Sequence, residues 1–143
     1  MDINQTFTAL SRNASTEINA STEMTGFPSP AGGREASSLS LDKYLAPRPS
    51  STYYCRVVGD AMKNAGINDG DLLVVDSSLT PSHNKIVVAI LFGEMIVRRL
   101  IINPKGSWLV AESNNSVYQP VNISRYDHGT LFWGVVTWVL HQP

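Results

Sequence analysis

From Thr52 onward the chain is a series of short apolar runs separated by polar or glycine-bearing breaks. The runs cover Thr52 to Val58, Asp71 to Asp76, Lys85 to Phe92, Glu94 to Leu100, Trp108 to Ala111, Val121 to Ser124 and Leu131 to Leu140. Each is of strand length and rich in Val, Ile, Tyr or Trp, side chains that suit a pleated surface. Phe92-Gly93 joins two runs tightly enough for a hairpin, and Asn103-Pro104-Lys105-Gly106 predicts a second turn. Leu41, Tyr44 and Leu45, preceded by Ser40 as N-cap and stopped by Pro47 and Pro49, predict a single helical turn. No repeat and no long amphipathic helix interrupts this texture. The expected fold is therefore mostly β, with non-local strand pairing.

The first 25 residues differ in kind. Ser, Thr, Asn and Gln dominate them, leaving Ile3, Phe7, Leu10, Ile18 and Met24 as the larger apolar side chains. Such a segment cannot offset its own ordering entropy by burial. Ile3, Phe7 and Leu10 lie at helical spacing, which admits a short amphipathic turn docked on something larger. Thr25 to Gly33 follows with two prolines and three glycines, which exclude a helix interior or a central strand. The organisation expected is a polar arm over residues 1–25, an extended Pro/Gly/Ser-rich linker over 26–38 and a β domain over 39–143.

Composition removes several functions. With 11 Lys and Arg against 12 Asp and Glu, the net charge is −1, so the clustered cations of a phosphate-binding surface are missing. Cys55 is the single cysteine, which rules out an intrachain disulfide, a CxxC redox pair and a cysteine-based zinc site. A reducing, cytoplasmic setting is expected, and no export signal or apolar run of membrane length appears. P-loop, GxGxxG, HExxH and GxSxG motifs are all absent.

Individual candidates are weighed against plain roles. His83, His128 and His141 are too scattered for a metal cluster and read as solvated or capping residues. Cys55 shares a strand face with Tyr53 and Val57 and reads as a small buried hydrophobe. Trp108, Trp133 and Trp138 read as core or dimer-face residues, and Arg98-Arg99 as a solvated strand edge. Neither a metal nor a cofactor is implied.

One ordered set of segments is more specific. Gly59-Asp60-Ala61-Met62 is followed by Gly70 to Asp76, Ile86-Val87-Val88-Ala89 and Gly93-Glu94-Met95-Ile96-Val97-Arg98-Arg99-Leu100. Thr25 to Pro30 lies upstream, with Ser77 to His83 and Trp133-Gly134-Val135-Val136 further on. This order and spacing resembles the LexA/UmuD self-cleaving Ser/Lys proteins of the peptidase S24 type, over about residues 25 to 140. The resemblance implies the β-strand domain of LexA and signal peptidase behind a flexible N-terminal arm. The 25 residues before Gly26 leave no room for a winged helix-turn-helix, so a DNA-reading repressor is not expected, and the Gly-Phe-Pro-Ser-Pro stretch resembles the UmuD-like branch in particular.

In that family a serine attacks the bond before the linker glycine and a neutral lysine removes its proton. The resemblance places the nucleophile at Ala61 and the base at Arg98, 37 positions later, with the cleavage site at Thr25-Gly26. Alanine has no hydroxyl. Arginine stays protonated and offers no acceptor. Lys63, Ser77 and Ser78 are not expected to substitute for them. Self-cleavage is therefore not expected of this chain.

The implied role is an SOS accessory protein that pairs with itself or with an intact UmuD-like protein, and that binds a Y-family translesion polymerase and a recombinase filament. It would involve neither sequence-specific DNA binding nor a membrane. The rival is an active Ser/Lys self-cleaving mutagenesis protein in which both catalytic residues have been replaced.

Overall fold

A computed structural model describes the backbone of residues 3–8, 17–20 and 37–143, and side chains from residue 38 onward. Ten strands form among the described residues: β1 Ile3–Thr8, β2 Glu17–Ala20, β3 Ser37–Ser40, β4 Thr52–Val57, β5 Leu72–Asp76, β6 Ile86–Leu91, β7 Glu94–Asn103, β8 Gly106–Val110, β9 Val121–Asn122 and β10 Phe132–Leu140. Two short helices, α1 Leu41–Leu45 and α2 His128–Leu131, accompany them. Eight strands make one antiparallel sheet in the order β1-β4-β5-β10-β6-β7-β8-β9, and β2 pairs with β3 separately. The mostly β expectation holds. The linker residues 26–36 and the Thr25-Gly26 bond lie outside the described residues.

Continuous apolar runs arise because the central strands are covered on both faces. Leu73 and Val75 of β5 enter one cluster with Cys55, Met62, Val88 and Val97, while Val74 between them packs with Leu45, Ala46 and Tyr54 under α1. On β6, Val88 belongs to the first cluster, and its neighbours Val87 and Ala89 join Leu100, Leu109, Ile123 and Leu131. Alternate side chains on a strand point to opposite faces. A strand buried on both sides thus needs an unbroken apolar run rather than an alternating one. Cys55 is fully buried, as expected for a small hydrophobe.

Local signals operate as read. Ser40 Oγ accepts a hydrogen bond from the Lys43 amide and caps α1. Leu91 pairs directly with Glu94, and Phe92 and Gly93 both have positive φ, 53° and 76°. Those are the signs of a two-residue type I′ turn, whose twist matches antiparallel strands. In β10, Gly134 sits where a Cβ would lie 2.7 Å from Val75 Cγ1 and 3.0 Å from the Asp76 carbonyl oxygen. Only a glycine lets the β10 backbone come that close to β5.

Three expectations are corrected. Residues 3–8 are extended rather than helical: β1 pairs antiparallel with β4, Thr6 opposite Cys55 and Thr8 opposite Tyr53. An uncovered β4 would present a row of unpaired N–H and C=O groups, and pairing with them outweighs a weak helical periodicity. Trp133 and Trp138 are 37% and 40% exposed, which overturns the core alternative of their expected role but not the dimer-face one. Each leans on a tyrosine, Trp138 on Tyr44 with centroids 5.3 Å apart and Trp133 on Tyr53 at 5.8 Å. Arg98 and Arg99 are not a solvated edge, since both are partly buried and engaged.

A polar knot closes the end of β5. The Asp76 carboxylate accepts from Arg48 Nε at 2.7 Å, Ser51 Oγ at 2.9 Å, Ser78 Oγ at 2.6 Å and the Ser78 amide at 2.8 Å. Burial by itself pushes this carboxyl up, but the bonds from Ser78, Arg48 and Ser51 together hold it below the usual carboxylate value. Its stabilising effect is complete above the unfolded pKa of about 3.9 and is lost as pH falls through the lower folded value. Asp76→Asn is therefore expected to flatten the acid limb of the stability profile below about pH 4, unfolding with the uptake of one proton fewer. Urea melts at stepped pH measure this; an acid limb as steep as the parent's would contradict it.

Candidate functional site

Position 61 lies in the connection between β4 and β5, where Gly59-Asp60-Ala61-Met62 leads into a 3₁₀ turn over Lys63–Ala65. Ala61 and Met62 are each 3% exposed, whereas Lys63 is exposed. Met62 and Val97 share a buried cluster, so this turn packs onto the strand that carries Arg98. Tyr118 makes a second link. Its hydroxyl donates to Asp60 Oδ1 at 2.8 Å, and its ring centroid lies 5.3 Å from the Arg98 guanidinium carbon, within cation–π range. The turn holding position 61 and the strand holding position 98 thus come together in space, with Asp60 and Arg98 touching the same tyrosine.

Neither the Ala61 nor the Arg98 side chain can serve as a nucleophile or a base. Arg98 Nη1 donates to the Val97 carbonyl at 2.7 Å, and a guanidinium has no lone pair to take a proton from a nucleophile. The Ala61 side chain ends at Cβ, while its backbone carbonyl accepts from the Glu112 amide at 2.9 Å. The serines considered as substitutes are committed elsewhere, Ser77 Oγ to the Ser51 carbonyl and Ser78 Oγ to Asp76.

The histidines have separate partners. His83 Nδ1 accepts from the Ile102 amide, His128 Nε2 meets the Ile123 carbonyl, and His141 Nδ1 lies 2.6 Å from Asp71 Oδ1. No group of three or more metal-ligating side chains forms among the described residues, and none of their helices is long and apolar enough to cross a membrane.

Tyr118 and Glu112 escape sequence reasoning. Both fall between β8 and β9, in a segment with no apolar periodicity, and only the folded chain carries them to the turn at Ala61. The segment Ser113-Asn114-Asn115-Ser116 reads as an ordinary polar loop.

The family model for Peptidase S24-like proteins matches residues 20–137. Protein MucA of Salmonella typhimurium is 44% identical over 112 residues, covering 78% of this chain and 75% of that protein. Protein ImpA of Salmonella typhimurium is 38% identical over 117 residues, covering 82% and 77%. The LexA repressor of Acidithiobacillus ferrooxidans is 37% identical over 94 residues, 64% of this chain but 45% of the repressor. With the family match spanning most of its length and the glycine-turn, strand and hairpin segments in their expected order, the chain belongs to the Peptidase S24-like family as a UmuD-like member.

Proposed function

We propose that this chain is an accessory protein of the bacterial SOS response that does not cut its own N-terminal arm, a degenerate serine peptidase acting by binding rather than by hydrolysis. Family membership carries the SOS-mutagenesis role. The finer reading assigns Ala61 to the family nucleophile position, Arg98 to the base position and Thr25-Gly26 to the bond that is no longer cut from within. Its main support is the packing of the Ala61 turn against the strand of Arg98, with an aliphatic stub and a permanent cation where a Ser/Lys pair would stand. The polar arm over 1–25, linker over 26–38 and β domain over 39–143 complete the reading.

In this proposal the protein works in the cytoplasm as a homodimer or as a heterodimer with an intact UmuD-like protein. The dimer binds a Y-family translesion polymerase and the recombinase filament, without reading DNA sequence. An intact partner could still cut the arm in trans, because that needs only the partner's serine and lysine.

The test uses the full chain. Incubated with activated recombinase filament, it is expected to keep its intact mass and to co-elute with the polymerase and with an intact UmuD-like protein. Loss of residues 1–25 by the chain acting alone would refute the degenerate-site reading. Failure to associate with either protein would refute the accessory role.

A further inference from the structure

Arg99, the neighbour of Arg98 on β7, takes no part in the chemistry that family membership implies, yet it reaches the Ala61 turn through one residue. Successive strand residues face opposite ways, and Arg99 points away from Tyr118 toward Glu112. Its Nε and Nη2 donate to the two carboxylate oxygens of Glu112 at 2.5 and 3.1 Å, and its Nη1 donates to the Asn84 carbonyl at 2.9 Å. The Glu112 backbone in turn grips the turn at two points. Its amide donates to the Ala61 carbonyl at 2.9 Å, and its carbonyl accepts from the Asn64 amide at 2.8 Å.

Glu112 follows β8 and belongs to no helix or strand. Its place is therefore set by these two backbone bonds and by the fork of Arg99, whose planar bidentate geometry fixes orientation as well as distance. The two side chains are 26% and 31% exposed, sheltered enough to hold one arrangement.

We propose that the Arg99–Glu112 ion pair is a positioning device that registers the turn at residue 61 against position 98. Glu112 and Arg99 are positioning residues and touch no reacting atom. For the consequence in catalysis, the inference rests on the reading of 61 and 98 given above. A displacement of about 1 Å in such a turn is enough to cost about a hundredfold in rate where reacting groups must meet.

The test has two arms on the full-length chain. In a background carrying Ala61→Ser and Arg98→Lys, Glu112→Gln is expected to slow self-cleavage by about tenfold or more. The exchanged pair, Arg99→Glu with Glu112→Arg, should recover most of that loss. Val74→Ala, in the separate cluster under α1, is the control for stability alone and should leave the cleavage rate within about twofold. Equal cleavage with and without Glu112→Gln, or a loss no greater than the Val74→Ala control shows, would overturn the proposal.

The second arm needs no cleavage. In the chain as it stands, Glu112→Gln should speed hydrogen exchange of the amides at positions 64 and 112 about tenfold or more, leaving the Val88 amide in the sheet unchanged. Unchanged exchange at both loop amides overturns the positioning role. A doubly substituted chain that keeps its arm would instead refute the functional reading, and the exchange result would still decide the role of the ion pair.

Discussion

Replacing Ala61 with Ser and Arg98 with Lys together is expected to start self-cleavage between Thr25 and Gly26, with a rate gain on the order of 10⁶ over the chain as it stands. On the proposed assignment, two deficits meet at this site. Ala61 has no oxygen to attack a carbonyl, and Arg98 cannot accept the proton that attack would release. The two substitutions act as a unit, because a serine without a base is a poor nucleophile and a base without a serine has nothing to activate. Each single substitution should therefore stay near background.

The folded frame favours the repair. Met62 and Val97 already pack in one cluster, and Tyr118 bridges Asp60 and Arg98. Lysine at 98 would lie beside apolar strands, where burial disfavours its ammonium form and brings it nearer to neutrality. The rate should rise with pH until that lysine is deprotonated. Intact-mass analysis over a mildly alkaline series, with and without activated recombinase filament, follows the loss of residues 1–25. Should the doubly substituted chain keep its mass at every pH, the assignment of positions 61 and 98 fails.

Leu73→Ala is expected to cost about 2 to 5 kcal/mol. Leu73 is fully buried in β5, and β5 pairs with β4 on one side and β10 on the other. Its side chain fills a cluster with Cys55, Met62, Val88 and Val97, so truncation leaves a void walled by four strands and the site turn. Paired strands cannot move inward without losing their ladders, and the void should collapse little. Against a typical total of about 5 to 15 kcal/mol, this is a large fraction of the stability. Urea denaturation at fixed protomer concentration should show a lower midpoint with an unchanged slope. A change below about 1 kcal/mol would show that the cluster repacks and that β5 is not its fixed wall.

The strands most legible in the sequence are those with local causes. Val, Ile and Tyr runs between glycine, proline and asparagine turns located β4, β5, β6 and β10 to within a few residues. Ser40 and Pro47 bounded α1 in the same way, through a side-chain cap and a fixed φ. Strand β7 runs on to Asn103, past the expected end at Leu100, because the apolar Ile101 and Ile102 continue the run and find partners in Trp108 and Ser107 across the second hairpin. The polar strand β1 has no such internal signal. An open edge supplied by residues about fifty positions away made it a strand.

The same division runs through the site. The residues themselves, with the missing hydroxyl at 61 and the permanently protonated cation at 98, are properties of covalent structure that hold in any fold. So are the lone cysteine and the near-neutral charge. What only tertiary structure decided is which side chains surround those positions. Tyr118 and Glu112 come from an irregular polar loop, and strand alternation sends Arg99 to the face opposite Arg98 without saying what it meets there. Their contacts depend on backbone paths converging over long separations, through packing and hydrogen-bond geometry that no spacing along the chain encodes.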